Sequence, residues 1–447
     1  MEKWQLENHF KRIGSQSTRP LPWLLLRLIL YVCINTLLPV PVGHAQSLGA
    51  TTGSSSKLAF LIPNLLNQSL QSVSDPGLRL ILQQALNPNF GSVNSGVAAE
   101  LSSLPVPSPA SAIRYTFNRE LGVYVAIPQS FGPILTERAE TIGKDKFFFG
   151  LTYQRFQFDR QDDLDLRGFQ IAIPVQIPPI SSIPVRIEGL VNSQTSISLN
   201  IAETSAHFTY GVTQWLDTSF ALPIVTSSIT MRTEATFSDV STGTALVTLP
   251  QTSLGGSSTG IGDTLVRVKA KALDLPAITL ALATDVRVPT GDEFNYHGAG
   301  AYGVKPAFIL SLVKNSISPH LNVGYQWNGK SFLASRSATQ NGQLPGQLYY
   351  AAGVDSALSR RLTLSVDIID QVIIHSQRAL LFPAQTSTGA YSTVEVLNRS
   401  HHETNASAGF KALLGSNVLL TGNLLMRVNE AGLRARVVPT FGLSRIF

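Results

Sequence analysis

Hydrophobic and polar positions alternate with period two along most of the chain after residue 144, most regularly between residues 263 and 297. In DTLVRVKAKA, Val266, Val268, Ala270 and Ala272 share one side, and Arg267, Lys269 and Lys271 the other. Beyond the turn LDLP, Ile278, Leu280, Leu282, Thr284, Val286 and Val288 alternate with Ala281, Ala283, Asp285 and Arg287. A period of two over this length predicts strands with one apolar and one polar face. Pro276 fixes φ and lacks an N–H, so it ends the ladder and makes the turn. Two such arms, joined tightly at one end and opening into a polar loop at the other, form the repeat unit of a transmembrane β-barrel.

The unit recurs to the end of the chain. Strands are predicted near residues 147, 195, 217, 263, 277, 304, 318, 347, 362, 404, 417 and 435, about twelve in all. Short and long connections alternate between them. The long ones include 159–193, 235–262, 328–346 and 374–403, and within the first LRGFQIAIPVQI reads as an extra hairpin arm. Apolar parity shifts between Ile201 and Ala206, which predicts a bulge. An even strand number with alternating connections is the pattern of bacterial outer-membrane barrels, whose short turns face the periplasm and whose long loops face outside. Both termini of the barrel then fall on the periplasmic side. The fold class predicted is all-β: a transmembrane antiparallel up-and-down barrel of about 12 strands, with an N-terminal non-barrel segment.

Residues 46–136 differ from the rest. Ser, Gly, Asn and Pro dominate 47–56, 88–97 and 103–111, which read as coil. The apolar stretches 58–70 and 77–86 are candidate helices. The segment is a periplasmic element, a plug inside the barrel, or a flexible tether. Before it, Lys3, Lys11, Arg12, Arg19 and Arg27 precede the apolar run 28–38. Gly43, His44 and Ala45 then offer a small-x-small cleavage site, so residues 1–45 read as a signal peptide. The alternative, an anchoring helix, is opposed by the shortness of that run and by Pro39 and Pro41. Leu30, Tyr31 and Val32 lack the small residues that lipid attachment at Cys33 requires.

Composition changes the picture little until the leader is removed. The chain has 447 residues, 14% of them charged, with 34 basic and 28 acidic residues and one Cys. Without the five basic and two acidic residues of the leader, 29 basic and 26 acidic remain, a net charge of +3. This balance gives no reason to expect nucleic-acid binding. The mature chain would hold no cysteine, so neither a disulfide framework nor a thiolate metal site is expected. No cofactor is implied.

Four stretches carry a resemblance: ERAETIGKDKFFFGLTYQRF (137–156), FTYGVTQWLDTSFALPIV (208–225), GIGDTLVRVKAKAL (260–273) and LALATDVRVPTGD (280–292). With the terminal strand, residues 137–447 resemble the outer-membrane family of meta-pathway phenol-degradation proteins, loosely akin to fatty-acid and aromatic-hydrocarbon channels. The resemblance implies an outer-membrane barrel, with 46–136 outside the match. The end of the chain, with Phe441, Leu443 and Phe447 at one parity, resembles the strand by which the barrel-assembly machinery recognises its clients. Arg445 interrupts that apolar run.

If the apolar faces meet lipid, the lumen is lined by Arg267, Lys269, Lys271, Asp285, Arg287, His320, Asp355, Asp367, Lys411 and Arg427. Charge toward lipid costs about 2–4 kcal/mol at the midplane, so these side chains turn inward. There they either set pore selectivity or pair into a network that fills the lumen, with Asp285 opposite the basic arm. Pro289, Thr290, Gly291 and Asp292 sit where a strand leaves the membrane, and a turn-shaping role fits them better than ligand contact. Tyr153, Tyr210, Trp215, Tyr325 and Trp327 near strand ends read as interfacial girdle. An enzyme is not expected. The adjacent His375 and Ser376 lack the HxSNG pattern of outer-membrane phospholipases, and the consecutive His401 and His402 would face opposite ways on a strand.

The function these features point to is passive diffusion of a small, hydrophobic or aromatic solute through an outer-membrane channel. The alternative is a closed-lumen structural or surface-interaction barrel. The partners expected are outer-membrane lipid, the barrel-assembly machinery and the solute.

Overall fold

The computed structural model describes residues 57–86, 91–103, 115–118, 123–126, 130–180, 183, 186–312, 317–335, 341–386, 389–415 and 417–447. The leader reading of 1–45, Cys33 included, lies outside the described residues.

Twelve strands close into a barrel: β1 (Phe147–Gln161), β2 (Ile187–Gly211), β3 (Leu216–Asp239), β4 (Thr264–Asp274), β5 (Ile278–Val288), β6 (Gly303–Leu312), β7 (Ile317–Asn328), β8 (Gln347–Ser359), β9 (Leu362–Thr386), β10 (Gly389–Leu414), β11 (Val418–Arg427) and β12 (Val437–Ile446). Each pairs antiparallel with its sequence neighbour. Closure runs through β1, which pairs with β2 from Phe147↔Tyr210 to Phe158↔Leu199 and with β12 from Thr440↔Gln154 to Ile446↔Phe148. All twelve predicted strands are present. None of the described helices is long and apolar enough to cross a membrane; the strands cross instead.

Alternation sorts the side chains of each strand. On β5, Ala281, Ala283, Asp285 and Arg287 are buried, while Ile278, Leu282 and Val286 are exposed on the outer wall. The same belt takes in Phe220, Val268, Phe308, Leu321, Val354, Val366 and Phe441. Tyr210 and Trp215 mark its short-turn rim and Trp327 the opposite one, all three exposed.

The predicted bulge in β2 is absent. Pairing with β1 and β3 runs through residues 201–206 without a register shift. What changes is polarity. Odd positions face inward throughout, but they pass from Ile197, Leu199 and Ile201 to Glu203, Ser205, His207 and Thr209. The strand leaves the membrane near Ile201, so its outer face turns from apolar (Ala206, Phe208) to polar (Asn200, Ser198), and its inner face does the reverse.

Two predicted loops are also corrected. Residues 235–262 continue the sheet: β3 runs on to Asp239 and a further strand, Ala245–Ile261, pairs back along it. Residues 374–386 and 389–403 are the upper halves of β9 and β10, paired as far as Thr386↔Gly389 after an irregularity between Ile373 and Ser376. The extra arm Phe169–Ile177 pairs with β2, as its pattern predicts.

These extensions form a collar at the long-connection end, apolar inside, and helices fill it. They are α1 (Leu61–Leu70), α2 (Pro76–Leu86) and α3 (Gly91–Ser103). Leu70, Val73, Leu78 and Leu82 pack in one cluster with Ile171, Ile173, Phe237, Leu249 and Val394. Burial of this kind is worth about 1.5–3 kcal/mol per large side chain, shared by collar and helices. α3 was read as coil because Gly, Asn and Ser are poor helix formers. Burial of Val93, Val97, Ala98 and Leu101 overrides that preference.

Candidate functional site

The lumen is blocked twice. From below, residues 130–146 rise from the short-turn end and return to it before entering β1. The Phe131 amide donates to Thr363 Oγ1 (2.8 Å), the Glu137 amide to Asn322 Oδ1 (2.6 Å), and the Ile142 amide to Asp217 Oδ2 (3.0 Å). Lys411 Nζ donates to the Pro133 carbonyl (2.7 Å) and Lys269 Nζ to those of Arg138 and Glu140. From above, the C-terminal end of α3 caps the lumen. The Ser102 carbonyl accepts from Arg287 and from Gln326 Nε2 (2.8 Å), and Gln347 Nε2 donates to Ser102 Oγ.

Between the two blocks lies a chamber of about 140 Å³. Leu101, Ser102 and Ser103 form its roof and Leu135 and Glu137 its floor. The wall is mixed: Val225, Leu265, Ala283, Ile309 and Ile369 supply apolar surface, and charged groups stand beside them on the same strands. Arg267 Nη2 donates to Asp285 Oδ2 (2.8 Å) and its Nη1 to Glu137 Oε2 (2.7 Å). Lys269 Nζ reaches Glu137 Oε1 at 3.1 Å, and Lys305 pairs with Asp285 at 3.3 Å while lying 5.1 Å over the Tyr349 ring. His297 adds a buried imidazole on the chamber wall.

The predicted lining residues therefore sit inward but mostly hold the plugs. Arg267, Lys269 and Asp285 meet through Glu137. His320 bridges Ser311 Oγ (2.9 Å) and Asp355, with Arg138 of the lower segment 4.0 Å from that carboxylate. Asp367 accepts from Thr136 Oγ1 at 2.7 Å. Two residues stand apart from this group. Lys271 pairs with Asp274 at the short-turn rim (2.7 Å), and Arg427 with Asp159 toward the other end (2.6 Å).

The turn motif shapes the long-connection end. Thr290 Oγ1 donates to the Gly262 carbonyl (2.6 Å) and accepts from the Thr264 amide, while Asp263 accepts from the amides of Gly291 and Ala299. A Cβ on Gly291 would meet the His297 carbonyl at 2.8 Å, so only glycine fits. Asp292 caps the short helix Glu293–Asn295 and pairs with Lys57 at 2.6 Å. Partial burial raises its pKa, but the Lys57 and Asn295 hydrogen bonds outweigh this and the net shift is downward. Pro289 is the residue that joins β5 to this turn. At the chain end Phe441 and Phe447 are exposed on the outer wall, and Arg445 folds over the Phe447 ring (4.5 Å).

Ser376 pairs with His401, not with its neighbour His375. Ser376 Oγ lies 3.1 Å from His401 Nδ1, and His401 Nε2 lies 2.9 Å from Glu403 Oε1, which Arg434 also contacts. The neighbouring donors are engaged elsewhere, the His375 amide on Ser400 Oγ and Gln377 Nε2 on the Ala334 carbonyl. The chain of bonds ties β9 to β10 inside the collar.

Sequence reasoning missed Glu137, Arg138, Lys305, Tyr349 and His297. The available signal was an acidic residue in ERAETIGKDK, just before the first strand, matched to the basic stripe on β4.

Residues 186–371 match the family model described as "Putative MetA-pathway of phenol degradation". The resemblance read from the sequence holds. The matched stretch of this family runs from the start of β2 into β9 and includes the Asp263 and Thr290 turn and the Arg267–Asp285 pair. No curated protein matches the chain. Among solved structures, it is similar to an outer membrane channel from Pseudomonas putida, with 12% identity and a TM-score of 0.44 over 69% of this chain and 98% of that one. It is also similar to the toluene transporter TbuX of Ralstonia pickettii, with 12% identity and a TM-score of 0.26 over 68% and 90%. For the toluene transporter TodX of Pseudomonas putida the identity is 9% and the TM-score 0.25 over 68% and 89%. The architecture rests on the strand pairing itself.

Proposed function

We propose that this protein is a gated outer-membrane channel for a small, hydrophobic or aromatic solute. The observation that carries the reading is the chamber, closed above by α3 and below by residues 130–146. Both closures are separate pieces of chain laid inside a complete barrel. Either can move without breaking a strand ladder, and an obstruction built from the wall could not. The chamber's mixed lining suits a solute with an apolar body and one or two polar groups, and the phenol named in the family description is of that class. Diffusion would be passive, proceeding when the two blocks undock. The predicted partners, outer-membrane lipid around the apolar belt and the assembly machinery at the terminal strand, belong to the same proposal.

A second reading is favoured by the ion pairs on the floor, which would also suit a permanently closed barrel that displays its collar. Flux of radiolabelled phenol and toluene into proteoliposomes separates the two. Uptake above empty vesicles that Ala283→Trp, which fills the chamber, abolishes would support the channel. No uptake by a folded barrel would favour the closed protein.

A further inference from the structure

We propose that the barrel passes its own N-terminal segment across the outer membrane and holds it on the outer surface. This inference concerns the polypeptide and does not depend on the solute reading. α1 and α2 sit inside the collar, at the end where the long connections lie, and Lys57 ahead of α1 pairs with Asp292 in one of those connections. In outer-membrane barrels that end faces outward. β1 begins at the opposite end, where the Phe147 amide donates to the Phe447 carbonyl. Residues 57–86 and the start of β1 are therefore on opposite sides of the membrane.

The crossing can be read on a single strand. Ser103 meets β9 at Gln371, whereas Phe131 meets it at Thr363. The eight residue steps from one position to the other span roughly 26 Å at the strand rise. A covalent chain joins the two points. Both points lie inside the barrel, one toward each end of its lumen.

The lower lumen is suited to a passing peptide. Its wall grips residues 130–142 largely through their backbone: Thr363, Asn322, Ser311 and Asp217 accept amide hydrogens, and Lys411 and Lys269 donate to carbonyls. Contacts of this kind are indifferent to side-chain identity. At the far end the apolar collar supplies the driving force, because its inner face and the apolar faces of α1 and α2 are buried only when they meet.

The test uses the full chain in cells, in a Cys33→Ser background, with single cysteines labelled by a membrane-impermeant maleimide. Ser74→Cys lies on the exposed connection between α1 and α2, Thr242→Cys on a long connection and Arg360→Cys on a short turn. Ser74→Cys and Thr242→Cys should label completely on intact cells, with no gain on permeabilisation, and Arg360→Cys only after it. Ser74→Cys behaving like Arg360→Cys would overturn the proposal. Gln84→Cys, at a second exposed position, repeats the comparison should Ser74→Cys fail to give a heat-modifiable barrel. Labelling reads topology and conductance reads the pore, so the failure of one reading is distinguishable from failure of the other.

Discussion

Glu137→Gln should loosen the lower block while leaving the barrel folded. The carboxylate receives Arg267 at 2.7 Å and Lys269 at 3.1 Å. With an effective dielectric constant of about 20, these contacts are worth about 6 and 5 kcal/mol before desolvation is charged. Desolvation removes much of that, and neither cation is orphaned by the change. Arg267 keeps Asp285, and Lys269 keeps two backbone carbonyls. The loss should therefore be about 2–3 kcal/mol, below the 3–5 kcal/mol of a fully broken buried pair. That corresponds to a roughly 30- to 150-fold shift toward the undocked segment. No strand pairing involves Glu137, so heat-modifiability on gels should match the parent. In planar bilayers the variant should open more often at an unchanged unitary conductance. Equal open probability from a folded variant would refute the reasoning, because docking of residues 130–146 would then not control the pore.

Three further perturbations test separate parts of the account. Gly211→Ala puts a Cβ 1.8 Å from the Gly143 carbonyl and should displace residues 130–146, raising open probability while the barrel stays folded on gels; Gly243→Ala has φ +69 and open space, and should cost only about 1–2 kcal/mol. Val97→Asp buries an unpaired carboxylate on the lumen face of α3, where Val97 is fully buried, and should expose α3 to protease while the barrel stays folded. Asp292 has a folded pKa below its ordinary 3.8, so the Lys57 tether contributes above that value and is lost as pH falls through the folded one. Protease sensitivity near Lys57 should rise below about pH 4 and Lys57→Ala should remove that dependence, with a stability change under about 1 kcal/mol for so exposed a pair.

The barrel was legible because its signal is periodic. Strict alternation in β4 and β5 placed Arg267 opposite Asp285, and the structure pairs them. Connection lengths alone predicted which ends of the strands lie together. The collar was not legible, because its strands invert the rule used to find the others. Ile197, Leu199 and Ile201 face inward there, so the parity change in β2 imitated a bulge. In Ala245–Ile261, a run of Ser, Thr and Gly hides an edge strand whose β-structure comes from pairing with β3 rather than from propensity. The plugs were harder still. Residues 130–146 have no period, and α3 contains Gly, Asn and Ser at positions where only tertiary burial makes a helix. The partners that the candidate charges find in the lower block, Glu137 for Arg267 and Lys269 and Thr136 for Asp367, lie more than a hundred residues away in sequence, beyond the reach of local pattern.

The central claim is that α3 and residues 130–146 close an otherwise open pore. Single-channel conductance of the mature chain, beside a chain lacking residues 46–146, tests it most directly. The account predicts a mature chain that is mostly silent with brief openings, and steady conductance once those residues are gone. Silence from both barrels, each shown to be folded, would contradict it, and so would steady conductance from the mature chain.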